Sequence, residues 1–218
     1  PGASVISEIE ELERFSPIAD LIEKHHLYKQ IQFSIDSYTP NVVRYACDRG
    51  FTLINDITGL ENDEVCKIAA EYAAEVCIMH MQGRPTTMQT NPHYENLFDE
   101  IDRFFRERIE KANAFGIKKL ILDTGIGFGK SLEHNLSLIK HQKHFARLGY
   151  PLLIGASRKS MIDKIISTNV EDRLPGTLAI HLKALNEGAS IVRVHDVKEH
   201  YQAIKVNEAI NSIGLDIC

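Results

Sequence analysis

The chain has 218 residues, with 25 Lys and Arg against 30 Asp and Glu and a formal net charge of −5. Hydrophobic residues make up 44% and charged residues 25%, the proportions of a globular protein with an ordinary core, which excludes a disordered chain. The mild acidity argues against a nucleic-acid binder, and no apolar run approaches the roughly 20 residues that span a bilayer.

In chain order, Ser7 and Glu10 have capping-box spacing before Leu12, Phe15, Ile18 and Leu21, so a helix starts there. Pro17 is expected to restart or bend it. The apolar run 31–35 reads as a strand ending in Asp36. Thr39-Pro40 then supplies a cap and a first-turn proline for a helix carrying Val42, Val43 and Ala46, and Gly50 stops it. Runs 51–54, 76–79, 120–122, 152–154 and 191–194 read as further strands. Between them, Leu97, Ile101, Phe104, Phe105, Ile109 and Ala112 trace one face of a long helix ending near Gly116. Ser131 opens a helical segment closed by Gly149, and helices follow over about 173–187 and 197–213.

The strand runs are nearly continuous rather than alternating, as in strands buried on both faces of a parallel sheet. Strand–helix alternation without a linker, charge block or repeat predicts one α/β domain over residues 1–218. No G-x-G-x-x-G follows the first strand. Nearly every strand instead ends in a chemically useful group: Asp36, Asn55 with Asp56, His80, Asp123, Ser157-Arg158-Lys159, and Arg193 with His195. Sites built from several strand ends at once belong to barrels, whereas open sheets bind at one switch point. The expectation is a (β/α)8 TIM barrel with six of its eight strands in this sequence and the first two βα units upstream. The four cysteines, Cys47, Cys66, Cys77 and Cys218, lack C-x-x-C spacing and read as reduced thiols of a cytoplasmic protein.

Each strand-end residue has a plainer reading. Asp36 also suits a cap for the next helix, and Asn55 a turn before Gly59. His80, between two methionines, fits a hydrogen-bonded core residue better than a ligand. Asp123 precedes Thr124-Gly-Ile-Gly-Phe-Gly-Lys130, whose alternating glycines let the backbone approach a ligand, with Phe128 available for stacking. Ser157-Arg-Lys-Ser160 places two cations at a helix start, where they oppose the dipole by about 0.3–1 kcal/mol and so call for a reason, which an anion site would supply. Arg193 and His195 alternate on the last strand and point the same way. Together these residues make an acceptor-rich pocket beside a cationic one. Such a pair reads the donor-rich edge of a pyrimidinone and holds a phosphate leaving group.

Ser34-Ile-Asp36-Ser, Ile54-Asn-Asp-Ile-Thr-Gly59 and Met79-His-Met-Gln-Gly83 resemble successive strand-end motifs of the dihydropteroate synthases. So do Leu122-Asp-Thr-Gly-Ile-Gly-Phe-Gly-Lys130, Gly155-Ala-Ser-Arg-Lys-Ser-Met161 and Arg193-Val-His-Asp-Val197. The resemblance implies condensation of (7,8-dihydropterin-6-yl)methyl diphosphate with 4-aminobenzoate. Asp36, Asn55, Asp123 and Lys159 would bind the pterin, with Phe128, Gly155 and Met81 lining it. Arg158, Arg193 and His195 would bind the diphosphate, and Lys159 and Ser160 would flank the aminobenzoate. Lys159, Arg193 and His195 would be the catalytic set. The resemblance also implies Mg2+, held by an Asn upstream of this sequence rather than by a metal ligand within it, and a homodimer. Pro1-Gly-Ala3 resembles the end of the family's second loop, and Thr124 stands where the family usually has Pro. The rival readings are a methyltransferase that binds a reduced folate, which needs no diphosphate site, and a non-catalytic pterin-binding paralogue.

Overall fold

The computed structural model describes residues 6–84, 87, 88 and 90–214; Pro1-Gly-Ala3 and Cys218 lie outside them. Among the described residues, six strands form one parallel sheet in chain order: β1 (Ser34–Asp36), β2 (Leu53–Asp56), β3 (Glu75–Met79), β4 (Leu120–Asp123), β5 (Leu152–Ile154) and β6 (Ile191–Val192). The helices are α1 (Glu8–Lys24), α2 (Pro40–Asp48), α3 (Asp63–Glu71), α4 (Leu97–Ala114), α5 (Leu132–Lys140), α6 (Lys143–Ala146), α7 (Ser160–Ile166), α8 (Leu174–Asn186) and α9 (Val197–Asn211). The order is that of consecutive βα units of a barrel.

Strand register decides which residues share a face. Asp36 lies opposite Asn55, Asn55 opposite Cys77 and Cys77 opposite Ile121. Asp123, two residues beyond Ile121, lies opposite Leu153, which lies opposite Ile191, two residues before Arg193. Side chains alternate along a strand, so Asp36, Asn55, Asp123 and Arg193 all project to one side. That side is floored by a small apolar cluster of Cys77, Ile121 and Leu153 with Leu53 and Ile191. The alternate set, including Ile35, Ile54, Val76, Ile78, Leu120, Leu122, Leu152 and Ile154, belongs to the large core shared with the helices. The continuous hydrophobicity of the runs thus has two causes, an outer core and an inner floor.

The sheet edges differ from the expected strands. Ile31 is 61% exposed and β1 begins only at Ser34, while β6 is a two-residue strand that is half-buried. Among the described residues, each has a strand partner on one side only. Helix α1 runs through Pro17 without restarting, and the Ser7 side chain accepts from Glu10 N as its cap. Thr39 stands at the N-cap of α2, but its hydroxyl donates to Glu11 Oε2 (2.6 Å) rather than capping. The segment from Ser131 to Gly149 holds two helices, α5 and α6, in place of one. Cys47, Cys66 and Cys77 are buried free thiols, and burial pushes Cys47 up to about 11.

Candidate active site

The polar residues on the inner face collect at the C-terminal ends of the strands. Asp123 is the deepest. Its Oδ1 accepts from Gly125 N at 2.7 Å, and burial raises its carboxyl above the usual range. Asn55 is buried on β2, two strands away. Asp56 points elsewhere: its carboxylate accepts from Thr58 N, Thr58 Oγ1 and Leu60 N, so it organises the turn that precedes α3.

The glycine-rich loop is pressed against the chain after β3. Gly125 has φ +65°, and a Cβ there would lie 1.9 Å from the carbonyl oxygen of His80. No side chain can occupy that space. Lys130 fixes the far end of the loop: its Nζ lies 3.0 Å from His80 Nδ1, and it donates to Phe128 O (2.9 Å) and His80 O (3.3 Å). Burial pushes Lys130 down to about 7 and lowers His80 strongly, so His80 is a neutral core residue as its neighbours suggested. Its ring meets Phe104 edge-on.

The loop in turn holds Lys159. The Lys159 ammonium donates to Ile126 O and sits 4.3 Å from the centre of the Phe128 ring, a cation–π arrangement. Burial pushes it down to about 8, with the Asp123 charge acting upward against that and Arg193 adding to it. Lys159 is the N-cap of α7, yet its charge turns away from the helix axis onto the loop. Phe128 therefore presents its face to Lys159, whereas stacking on a ligand was expected of it. Ser160, the first residue of α7, is exposed beside it.

The cationic rim is built by β5 and β6. Arg193 Nη2 donates to Asp36 Oδ2 at 2.5 Å. His195 Nδ1 lies 2.8 Å from Ser157 Oγ. Gly155 faces Arg193, whose Cβ would lie 3.9 Å from a Cβ built there. Arg158 corrects the simple expectation that it faces a diphosphate. Its Nε and Nη2 donate to the two carboxylate oxygens of Asp196, at 3.0 and 2.5 Å, because its backbone, at φ +54°, directs the side chain toward the turn after β6. Met81 lines a cleft of about 430 Å³ with Tyr38, Ile57, Thr58, Arg84 and Phe104, and none of Asn55, Asp123, Lys159 or Arg193 lines that cleft.

Sequence reasoning missed three participants. Asp196 follows His195 directly, and its place before α9 was the available signal. Asn135 anchors the loop, its Oδ1 accepting from Gly127 N at 2.7 Å. Ile126 acts through its carbonyl, which no side-chain pattern reveals. The assembled site has an apolar floor, buried acceptors at Asn55 and Asp123, one enclosed ammonium and a cationic rim. It can hold a flat, donor-rich heterocycle at depth and an anion at the mouth.

Comparison with known proteins agrees. The profile of the pterin binding enzymes matches residues 1–195. The dihydropteroate synthase of Escherichia coli is 43% identical over 211 residues, which cover 96% of this chain and 74% of that protein. The chain belongs to the dihydropteroate synthase family. The bifunctional dihydropteroate synthase/dihydropteroate reductase of Helicobacter pylori is also 43% identical, and the chain spans 55% of its length. Among solved structures, the Yersinia pestis dihydropteroate synthase in complex with a sulfonamide drug superposes with TM-score 0.93 at 40% identity, covering 98% of this chain and 77% of that one. The Thermus thermophilus dihydropteroate synthase in complex with 6HMPPP gives TM-score 0.88 at 33% identity, covering 94% and 81%. The six parallel strands are therefore part of the TIM barrel of the dihydropteroate synthases.

Proposed function

We propose that the protein joins (7,8-dihydropterin-6-yl)methyl diphosphate to 4-aminobenzoate, giving 7,8-dihydropteroate and pyrophosphate. The observation that carries this reading is the placement of buried Asn55 and Asp123 on the inner face beside the enclosed Lys159, with Arg193 and His195 at the rim. Asn55, Asp123 and Asp36 bind the pterin, and Lys159 meets its carbonyl edge. Phe128, Gly155 and Met81 line the pocket. Arg193 and His195 take the diphosphate. Arg158 supports that site through Asp196 and contributes its remaining N–H donors. Lys159 and Ser160 flank the aminobenzoate.

In the reaction the carbon–oxygen bond to the diphosphate breaks and pyrophosphate leaves with the electron pair. The resulting pterin cation is attacked by the arylamine nitrogen, which then loses a proton. The chain supplies acceptors for the cationic ring and cations for the departing anion, where preorganised charges stabilise a transition state most. Holding two substrates in line is the other large contribution. The rim of Arg193 and His195 favours this reading over a folate-dependent methyltransferase, whose methyl donor carries no diphosphate for such a rim to hold.

Mg2+ belongs to the proposal as an ion that enters with the diphosphate, whose hard oxygens suit it. Among the described residues no three His, Cys, Asp or Glu side chains converge to hold a metal, and Asp36 is engaged by Arg193. A homodimer is supported by the apolar groove of about 470 Å³ between α8 and α9, lined by Leu178, Leu182, Val206 and Ile210. A cytoplasmic setting is supported by the three buried free thiols, and no helix among the described residues is long and apolar enough to cross a membrane. The deciding experiment measures pyrophosphate release with dihydropterin diphosphate and Mg2+. Release that requires 4-aminobenzoate is expected; a folded protein that binds pterin without release would point to the non-catalytic paralogue.

A further inference from the structure

Behind the cationic rim lies a pair of histidines that no substrate contact uses. His181, on α8, and His200, on α9, are 1% and 3% exposed. Three hydrogen bonds run through them in series. Ala156 N donates to His181 Nε2 at 3.1 Å, His181 Nδ1 lies 2.8 Å from His200 Nε2, and His200 Nδ1 lies 2.7 Å from the carbonyl oxygen of Asp196.

The two ends of this series settle every proton in it. A backbone N–H can only donate, so His181 Nε2 is the acceptor and carries no proton. A carbonyl can only accept, so His200 Nδ1 carries one. Neutral imidazoles have one donor and one acceptor nitrogen. His181 therefore carries its proton on Nδ1 and donates to His200 Nε2. A further proton on either ring would face an N–H head-on at Ala156 or between the rings. Burial, together with His200, accordingly pushes His181 down to about 4.

The relay closes a ring. Ala156 immediately precedes Ser157, Arg158 and Lys159, and Asp196 immediately follows His195. Asp196 holds the Arg158 guanidinium, while Ser157 pairs with His195. Thr177, one turn before His181 on α8, accepts from Arg158 N at 3.0 Å, and Arg173 Nη1 donates to Arg158 O at 3.1 Å. Two loops that carry the anion site are thus tied at their roots by one directional chain.

We propose that His181 and His200 are positioning residues for the anion-binding half of the site: a neutral relay from the Ala156 N–H to the Asp196 carbonyl that keeps the Ser157–Arg158 and His195–Asp196 turns in register for a diphosphate. The proposal rests on the functional reading above. It assigns no contact between either histidine and the substrate.

The test combines a spectroscopic and a binding measurement. Nitrogen-15 NMR of the histidine-labelled protein, assigned with His181→Gln, should show both residues as Nδ1–H tautomers, and titration with inorganic pyrophosphate should shift both signals. His181→Leu should weaken pyrophosphate binding by calorimetry about tenfold and raise KM for the dihydropterin diphosphate, with kcat changed less than threefold. His181→Gln, which keeps one acceptor and one donor, should restore both to within threefold. An Nε2–H tautomer at either residue, signals unmoved at pyrophosphate saturation, or unchanged affinity in a folded leucine variant would each overturn the proposal. The wild-type titration decides the matter even where the leucine variant fails to fold. A wild type with both Nδ1–H tautomers that binds no pyrophosphate would instead sink the functional reading and leave the relay standing.

Discussion

Arg193 Nη2 donates to Asp36 Oδ2 at 2.5 Å, tying the end of β6 to the end of β1, the two outermost strands of the sheet. The two residues are 157 positions apart, and both side chains are well exposed, 62% and 46%. An ion pair so open to water contributes about 0–1 kcal/mol to stability. Under the proposed function it pairs two ligand-binding groups that substrate would separate, the pterin taking the carboxylate and the diphosphate the guanidinium.

That arrangement predicts opposite effects from its two halves. Arg193→Ala should leave stability within about 1 kcal/mol and weaken pyrophosphate binding by about 1.5–3 kcal/mol, the scale of a charge-assisted hydrogen bond. Asp36→Asn should weaken pterin binding yet leave pyrophosphate binding equal or tighter, because the carboxylate no longer competes for Arg193. Calorimetry with each ligand on both variants checks the pair. Equal losses of pyrophosphate affinity in the two variants would show that Asp36 holds Arg193 in place for the anion.

If Lys159 serves the proposed reaction as an ammonium, it should set a basic limit to activity. Its ammonium, pushed down to about 8 from the usual 10.5, loses its charge above that pH. The kcat/KM profile should fall on the alkaline side near pH 8, and Lys159→Arg, which stays charged, should move that fall upward even where its rate is lower. The stability effect has the opposite sign. Between about 8 and 10.5 the unfolded chain binds the proton that the folded chain has released, so this residue makes stability rise with pH across that window. Urea unfolding at pH 7, 9 and 10 should show the rise in wild type and a weaker one in Lys159→Met.

The glycine-rich loop separates steric need from conformational need. At Gly125, a methyl would meet the His80 carbonyl at 1.9 Å, and φ is +65°. At Gly149, φ is +82° but no atom of the described residues lies within 4 Å of a built Cβ. Gly149→Ala should therefore cost only the left-handed strain of about 1–2 kcal/mol. Gly125→Ala adds an overlap with backbone and should cost about 3 kcal/mol or more. Chemical denaturation of both variants makes the comparison, and equal losses would mean the loop simply lifts off β3.

The legible parts of the site were those that physical cost marks in a sequence. Asp123 and Arg193 stand out because a charge at the end of an apolar strand is expensive without a use, and both lie on the inner face. The two cations at the start of α7 were visible because they oppose the helix dipole, but in the fold Arg158 turns to Asp196 and Lys159 to the glycine-rich loop. What stayed hidden depends on long-range pairing. Nothing local links Arg158 to Asp196, 38 residues on, or His181 to His200 on a separate helix. Inside a helix each histidine reads as an ordinary polar residue. The edge strands were overextended because the apolar run 31–35 looked like a buried strand, whereas an outermost strand has a neighbour on one side only and frays toward solvent.

Thr124 offers a last check on the loop. It is fully buried beside Asp123, and among the described residues its hydroxyl has no hydrogen-bond partner. A buried hydroxyl without a partner loses its hydration and gains nothing in return. Thr124→Val keeps the shape and the β-branch and removes that cost, so stability should rise by about 1 kcal/mol. The neighbouring Asp123 carboxylate keeps its bond from Gly125 N in this variant, so pterin affinity should stay within twofold of wild type. Urea unfolding and pterin calorimetry on the same preparation read both quantities. A loss of stability would mean that the hydroxyl finds an acceptor in solution, and a loss of pterin affinity alone would place Thr124 in the binding site.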